Sequence, residues 1–180
     1  MGDPASLRIG FQKAYLSAET ILLNIQVHLS KFPQIPPKNG SHLSPLDLFL
    51  QSELDAFQQL LDLISADIIQ LLLIVRGQLA PSPSSHEAVI NISQHRIPPK
   101  WQEASLFSPI TDILQWIGVL ERRLHLIIDY LPAKTRPVVF QIGAFNRPDR
   151  LLQVALLHSA RQQFKSAHTS ALDIQVSQHS

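Results

Sequence analysis

The chain has 180 residues, 45% hydrophobic but only 16% charged, with a formal net charge of +1 and no cysteine. That length suffices for one domain with a sizeable core. The near-zero charge argues against nucleic acid or an anionic membrane as main partner, and the lack of cysteine excludes disulfides and thiolate-held zinc or iron–sulfur centres. Charged residues usually make up about 25% of a globular protein, so a surface this poor in charge is expected to be partly covered by a partner.

The opening MGDPASLRIGF has no apolar signal-peptide core, and the protein is read as intracellular. Met1-Gly2 with Ser6 fits the bare myristoylation pattern, but Asp3 and Pro4 favour an ordinary start. Residues 5–30 read as a helix, because Leu7, Phe11, Ala14, Ala18, Ile21, Ile25 and Leu29 recur at spacings of three or four. Residues 32–45 read as a proline-rich loop. Its Pro33-Gln34-Ile35-Pro36 fits P-x-x-P, a pattern of low specificity.

The longest predicted element runs from Ser44 to Gly77. Ser44 supplies an N-cap hydroxyl, Pro45 sits where a missing N–H costs nothing, and Asp47 closes a capping box. Leu50, Leu54, Phe57, Leu61, Ile64, Ile68, Leu71 and Val75 then alternate spacings of four and three, and Gly77 is suited to a left-handed stop. The most apolar part, 60–75, is interrupted by Asp62, Asp67 and Gln70, and is read as too short and polar to span a bilayer. Breaks are expected at 80–85 and 96–100, with a short helix at 86–94 between them. Ser108-Pro109 repeats the cap signature ahead of Ile110, Ile113, Ile117, Leu120, Leu124, Ile127 and Leu131, and Pro132 stops that helix. The two long helices are expected to pair antiparallel at about +20°, with a third helix on the side of the pair.

Toward the end, Val138–Ile142 reads as a strand and Gly143–Pro148 as a turn. Residues 149–164 read as a helix with Leu152, Ala155, Leu156 and Ser159 inward. Ala171–Val176 reads as a half-buried strand with an unpaired edge. The expected fold is mainly α: an antiparallel long-helix bundle with a minor β element near the C-terminus. It divides into an N-terminal helix and linker (1–43), a helical domain (44–165) and a tail (166–180).

No catalytic motif is legible. The six glycines include none that precedes a lysine, so a phosphate-binding loop is absent. A G-x-S-x-G elbow and an H-E-x-x-H helix are absent too. Of the eight histidines, only His86 and His95 lie close in sequence, beside Glu87, without metal-ligand spacing, so no metal or cofactor is expected. Asp62/Asp67 and Glu53/Asp55 are expected on wet helix faces. Glu121-Arg122-Arg123 reads as an outer charge cluster, worth less than about 1 kcal/mol as a surface pair but able to meet a partner carboxylate or phosphate. Trp116 flanks the stripe and reads as core, whereas Trp101, in a connector, reads equally well as core or as interface anchor.

The order of these features resembles a known family. Ser44-Pro45-Leu46 opens a long helix with Glu53 early in it and Arg76-Gly77 at its end. Then come Glu87, Ile97-Pro98-Pro99-Lys100-Trp101, Ser108-Pro109, and Trp116-Ile117 ahead of Glu121-Arg122. Gly143-x-Phe145-x-x-Pro148 and Leu151-Leu152 follow, leading to Ala160-Arg161. This set is similar to the C-terminal region of dynein heavy chains, over roughly 44–165 and more loosely 15–30, where Leu22–Gln26 is similar to an upstream stretch. Aligned on Pro148, Ala144 replaces a family glycine, Asn146 and Arg147 replace apolar residues, Gln153 replaces a threonine and Leu157 a glutamine. An apolar turn has become polar. These departures resemble a divergent dynein heavy chain domain-containing protein, in a short or fragmentary form.

The resemblance implies a non-catalytic cap lying against the ring of AAA+ modules, with ATP hydrolysis and microtubule binding in other parts of the heavy chain. It implies dynein ring modules or other dynein subunits as partners, and no nucleic acid, membrane or small-molecule substrate. It also implies the cytoplasm and cytoskeleton as location, including the axoneme of a cilium or flagellum. Candidate interface residues are Trp101, Arg122, Arg123, Phe145, Asn146, Arg147 and Pro148. The rival readings are a free-standing helical adaptor with a partner-helix groove and, more remotely, an enzyme using His125 and His158 in an interhelical pocket.

Overall fold

The computed structural model describes residues 4–37, 44–105, 110–131, 141, 145, 147–157, 159–161 and 163. Its named elements are α1 (Pro4–Leu29), α2 (Pro45–Val75), α3 (Pro83–Ser93), α4 (Pro99–Ala104) and α5 (Ile113–Asp129). A further helical stretch covers 148–157. The protein is therefore mainly α. Among the described residues there is no strand, and one isolated antiparallel bridge joins Arg96 to Asp112. The expected strands at 138–142 and 171–176 lie outside the described residues.

α2 forms as its sequence dictates. The Ser44 hydroxyl accepts from Asp47 N at 3.2 Å, and Asp47 Oδ2 accepts from Ser44 N at 2.9 Å. Two of the first turn's unpaired donors are thereby satisfied. At the other end, Gly77 has φ +73. Gly77 N donates to Ile74 O at 2.9 Å and Gln78 N to Leu73 O at 2.8 Å, the paired bonds of a left-handed helix stop. The intervening 31 residues span about 46 Å. This helix is long and apolar enough to cross a membrane by length and composition, which corrects the reading of 60–75 as too short. Core helices meet the same criterion, and the buried face of α2 packs against α1, α3, α4 and α5.

That face is wider than one stripe. Leu50, Leu54, Phe57, Ile64, Ile68 and Leu71 are buried as expected, while Leu61 and Val75 are half-buried. Leu46, Phe49, Leu60, Leu72 and Ile74 are buried beside them. α1 contributes Ala18, Ile21, Leu22 and Ile25, and α5 contributes Ile113, Trp116, Ile117, Leu120, Leu124 and Ile127.

The helix order differs from expectation in three ways. α1 packs chiefly on α3, a short helix, and then on α2, with α5 a lesser neighbour. α3 starts at Pro83, inside the stretch read as a break, because Ser82 builds its own capping box with Ser85. α5 starts at Ile113 rather than behind Ser108-Pro109, because the Asp112 carboxylate accepts from Gln115 N at 2.9 Å. Arg123 of α5 lies over Phe57 of α2, and Trp116, near the start of α5, stacks on Trp101 of α4, which bonds to Asp67 of α2.

Ile64 is fully buried and Leu61 only half so. Ile64→Ala should therefore cost about 2–5 kcal/mol, Leu61→Ala clearly less, and Ser44→Ala about 1 kcal/mol, all measurable by urea unfolding followed by circular dichroism.

Candidate functional site

Early in α2, Leu46, Phe49, Leu50 and Glu53 share the buried face. A carboxylate thus stands inside an apolar stripe, 3% exposed. The expectation that Glu53 lies on a wet face is wrong, and three neighbours explain why. The backbone N–H of Arg147 donates to Glu53 Oε1 at 3.2 Å. The Arg123 guanidinium, projecting from the α5 stripe between Leu120 and Ile127, feels the Glu53 charge. Phe57, one turn on, receives the same guanidinium over its ring, 5.3 Å from the centroid, at cation–π distance.

Arg123 is therefore not an outer surface charge. Burial lowers its pKa, and Glu53 opposes that shift. A cation whose pKa falls on folding opposes folding at every pH below that folded value, and Glu53 offsets the cost. The rest of the triplet diverges: Arg122 is exposed, and Glu121 Oε2 lies 3.6 Å from His28 Nδ1 of α1.

The residues beside Glu53 are themselves pinned. Phe145 is buried between Phe49 of α2, at 5.5 Å, and Tyr130 at the end of α5, at 5.9 Å. Gln141 N donates to the Tyr130 hydroxyl at 3.2 Å. Arg147 O then accepts from Arg150 N at 3.1 Å and Leu151 N at 3.3 Å, with Pro148 opening the helical stretch where its missing donor costs nothing. The Arg147 side chain is exposed and Pro148 half-buried, while Asn146 lies outside the described residues. Phe145 is thus an internal anchor, and Arg147 and Pro148 form the outer rim. The inward face of the stretch is set one position from expectation: Leu151 is buried and Val154 half-buried, whereas Leu152 and Leu156 are 54% and 72% exposed. Arg147, Arg150, Glu53 and Leu60 line an open groove of about 630 Å³ beside it.

Trp101 is corrected as an interface anchor. It is 1% exposed, stacks on Trp116 at 6.3 Å and 17°, and donates from Nε1 to Asp67 Oδ2 at 2.9 Å. Lys100 Nζ holds the other Asp67 oxygen at 2.7 Å. Asp67 is thus a bridge from α2 to α4 rather than a solvated acid, while Asp62 is exposed and bonded to Gln58. Tyr15 meets His86 at 3.0 Å, tying α1 to α3. His95 Nδ1 lies 4.0 Å from Asp112, and His125 is exposed. No group of three potential metal ligands occurs among the described residues, and His158 is not one of them.

Exposed apolar side groups gather on helix faces: Leu16, Leu23 and Val27 on α1, Ile69 and Leu73 on α2, and Leu152, Leu156 and Leu157 on the last stretch. The low charge content is accommodated by apolar surface left open on several helices. The arrangement is one of anchored edges and open apolar faces.

The family model for the C-terminal domain of dynein heavy chains matches residues 11–180, and the protein belongs to that family. It is 27% identical over 133 residues to dynein axonemal heavy chain 8 of Homo sapiens and to that of Mus musculus, covering 73% of this sequence and 3% of each relative. It is 28% identical over 108 residues to dynein axonemal heavy chain 5 of Mus musculus, covering 60% of this sequence and 2% of the relative. The 180 residues thus span only a few hundredths of the length of these relatives.

Glu53→Ala leaves Arg123 desolvated and the Arg147 N–H without this acceptor. It should destabilise by about 1–3 kcal/mol, whereas Glu53→Gln, which keeps an acceptor oxygen, should cost less. Amide hydrogen exchange in Glu53→Ala should rise first at 147–157.

Proposed function

We propose that this protein is a non-catalytic C-terminal domain of a dynein heavy chain that packs on a microtubule-motor assembly, in the cytoplasm and cytoskeleton and within the axoneme. The observation that carries the reading is the family match, which runs through α1–α5 and the 145–157 edge alike. The names of the relatives, axonemal dynein heavy chains, supply the motor and the location. The anchored Phe145 and Arg147 and the exposed leucines support a packing role. In this reading the partners are ring modules or other dynein subunits, and α2 with α5 forms an antiparallel pair that stiffens the edge. The domain performs no chemistry of its own and requires no cofactor.

A second reading, a free-standing helical adaptor, draws on the open face of α1, where Leu16, Leu23 and Val27 recur at helical spacing. A binding experiment separates the two. Purified protein mixed with a recombinant heavy-chain ring fragment should co-sediment with it as a defined complex. A stable monomer with no affinity for any ring segment would leave the adaptor reading.

A further inference from the structure

We infer that Ser82 is a phosphorylation site for a proline-directed protein kinase, and that the fold selects it over Ser44, which precedes a proline in the same way. The inference stands apart from the packing reading and does not depend on it.

The sequence holds three Ser-Pro dipeptides, Ser44-Pro45, Ser82-Pro83 and Ser108-Pro109. The last lies outside the described residues. A proline after the serine has a fixed φ and no N–H, which a kinase pocket shaped for it can read. Phosphoryl transfer also needs the hydroxyl in line with the γ-phosphate of ATP, so the segment around the serine must leave the body of the protein. At Ser82 it can. Residues 76–84 are all exposed, and Ser82 has extended backbone, φ -82 and ψ 165. Its hydroxyl is bonded at the surface, to Ser84 Oγ and Ser85 Oγ at 3.1 Å and to Ser85 N at 3.2 Å. Water can replace each of these partners. Pro83, Ser84 and Ser85 form the first turn of α3 and must unwind to enter a kinase. The buried residues of α3 are Val89 and Ile92, so that turn opens without baring the core.

Ser44 is the contrasting case. It is half-buried and donates from Oγ to Asp47 Oδ2 at 2.6 Å. Leu46, Phe49 and Leu50 directly behind it are buried, so unwinding that turn opens the core. A phosphate there would face the Asp47 carboxylate, a like charge. α3 has no acid in its first turn, so a phosphate on Ser82 meets the positive end of the helix.

Ser82 also borders a cleft of about 270 Å³ shared with Lys100 and with Asp67, Glu87 and Glu103. One cation against three carboxylates does not attract a free anion, so phosphate arrives only by the covalent step. The Ser82 oxygen attacks the γ-phosphorus of ATP, the bond from that phosphorus to the β-phosphate oxygen breaks, and ADP leaves. The hydroxyl proton passes to the carboxylate base of the kinase. The start of α3 favours the new charge and the cleft acids oppose it, so the modified protein stays folded. Its formal net charge falls from +1 to about −1, a large change on a surface so poor in charge.

The test incubates the full 180-residue protein with magnesium, ATP and a purified kinase of the cyclin-dependent class. Mass spectrometry with fragmentation locates the phosphate. Ser82 should be modified at least about ten times faster than Ser44. Free peptides covering 38–50 and 76–88 should differ far less, because neither is folded. Pro83→Ala should slow modification of Ser82 by about tenfold or more, and Pro45→Ala should leave it unchanged. Pro83 is exposed, and circular dichroism confirms that its variant is folded. No phosphate on Ser82 overturns the inference, as do equal rates at Ser44 and Ser82 or an unaltered rate in Pro83→Ala. The same tenfold gap in the free peptides overturns selection by the fold, and loss of helical signal on phosphorylation overturns tolerance of the new charge.

Discussion

The arrangement depends on one carboxylate placed where the helical stripe calls for an apolar residue. A buried charge is costly in a low-dielectric interior and persists only with partners that replace its water. Glu53 finds them on two separate segments, a guanidinium from α5 and the backbone N–H of Arg147 beyond it. Both must be brought in if the start of α2 is to close. Apolar side chains at this point could slide by a fraction of a turn at little cost. A carboxylate with directional partners fixes that Arg147 meets α2 at this point.

A second polar tie repeats the logic farther along the same helix. Asp67 accepts from the Trp101 indole and the Lys100 ammonium, and so seats α4 on α2. Between the two ties, α2 is joined to the rest of the molecule by apolar packing that is extensive but less directional. α1 is fastened differently, through Tyr15 to His86, Glu19 to Arg76 at 2.7 Å, and His28 to Glu121. These side chains lie at or near the surface and contribute modestly. The buried Ala18, Ile21, Leu22 and Ile25 stabilise this helix more.

The parts of the fold set by local chemistry were legible in the sequence. The Ser44 capping box, the Gly77 stop and the α2 stripe depend on neighbours within one or two turns, and they form where the spacing places them. The family was legible in the order of short motifs. The parts set by neighbours distant in sequence were not. Glu53 looked wet because acids on a helix usually are, and the partners that favour its burial, Arg123 and Arg147 among them, are 70 and more residues away. A signal was nonetheless present: Glu53 and Arg123 each fall among stripe residues of their helix, with opposite charges. Trp101 was ambiguous because nothing local reveals that Asp67 will receive its N–H. The one-position error on the last helical stretch arose because its apolar residues come in adjacent pairs, Leu151-Leu152 and Leu156-Leu157, which periodicity alone does not orient.

The protein's two tryptophans are the stacked pair Trp101 and Trp116. All of its indole absorption and emission therefore arises at one junction, where α4 and α5 meet the later part of α2. Glu53 and Asp67 are fourteen residues apart, roughly 21 Å along that helix. Indole light is consequently a local reporter, sensitive to loss of the Asp67 bridge and insensitive to events at the opposite end. A partner that settles on the C-terminal edge without disturbing the domain will be optically silent. One that changes the emission has altered the frame itself.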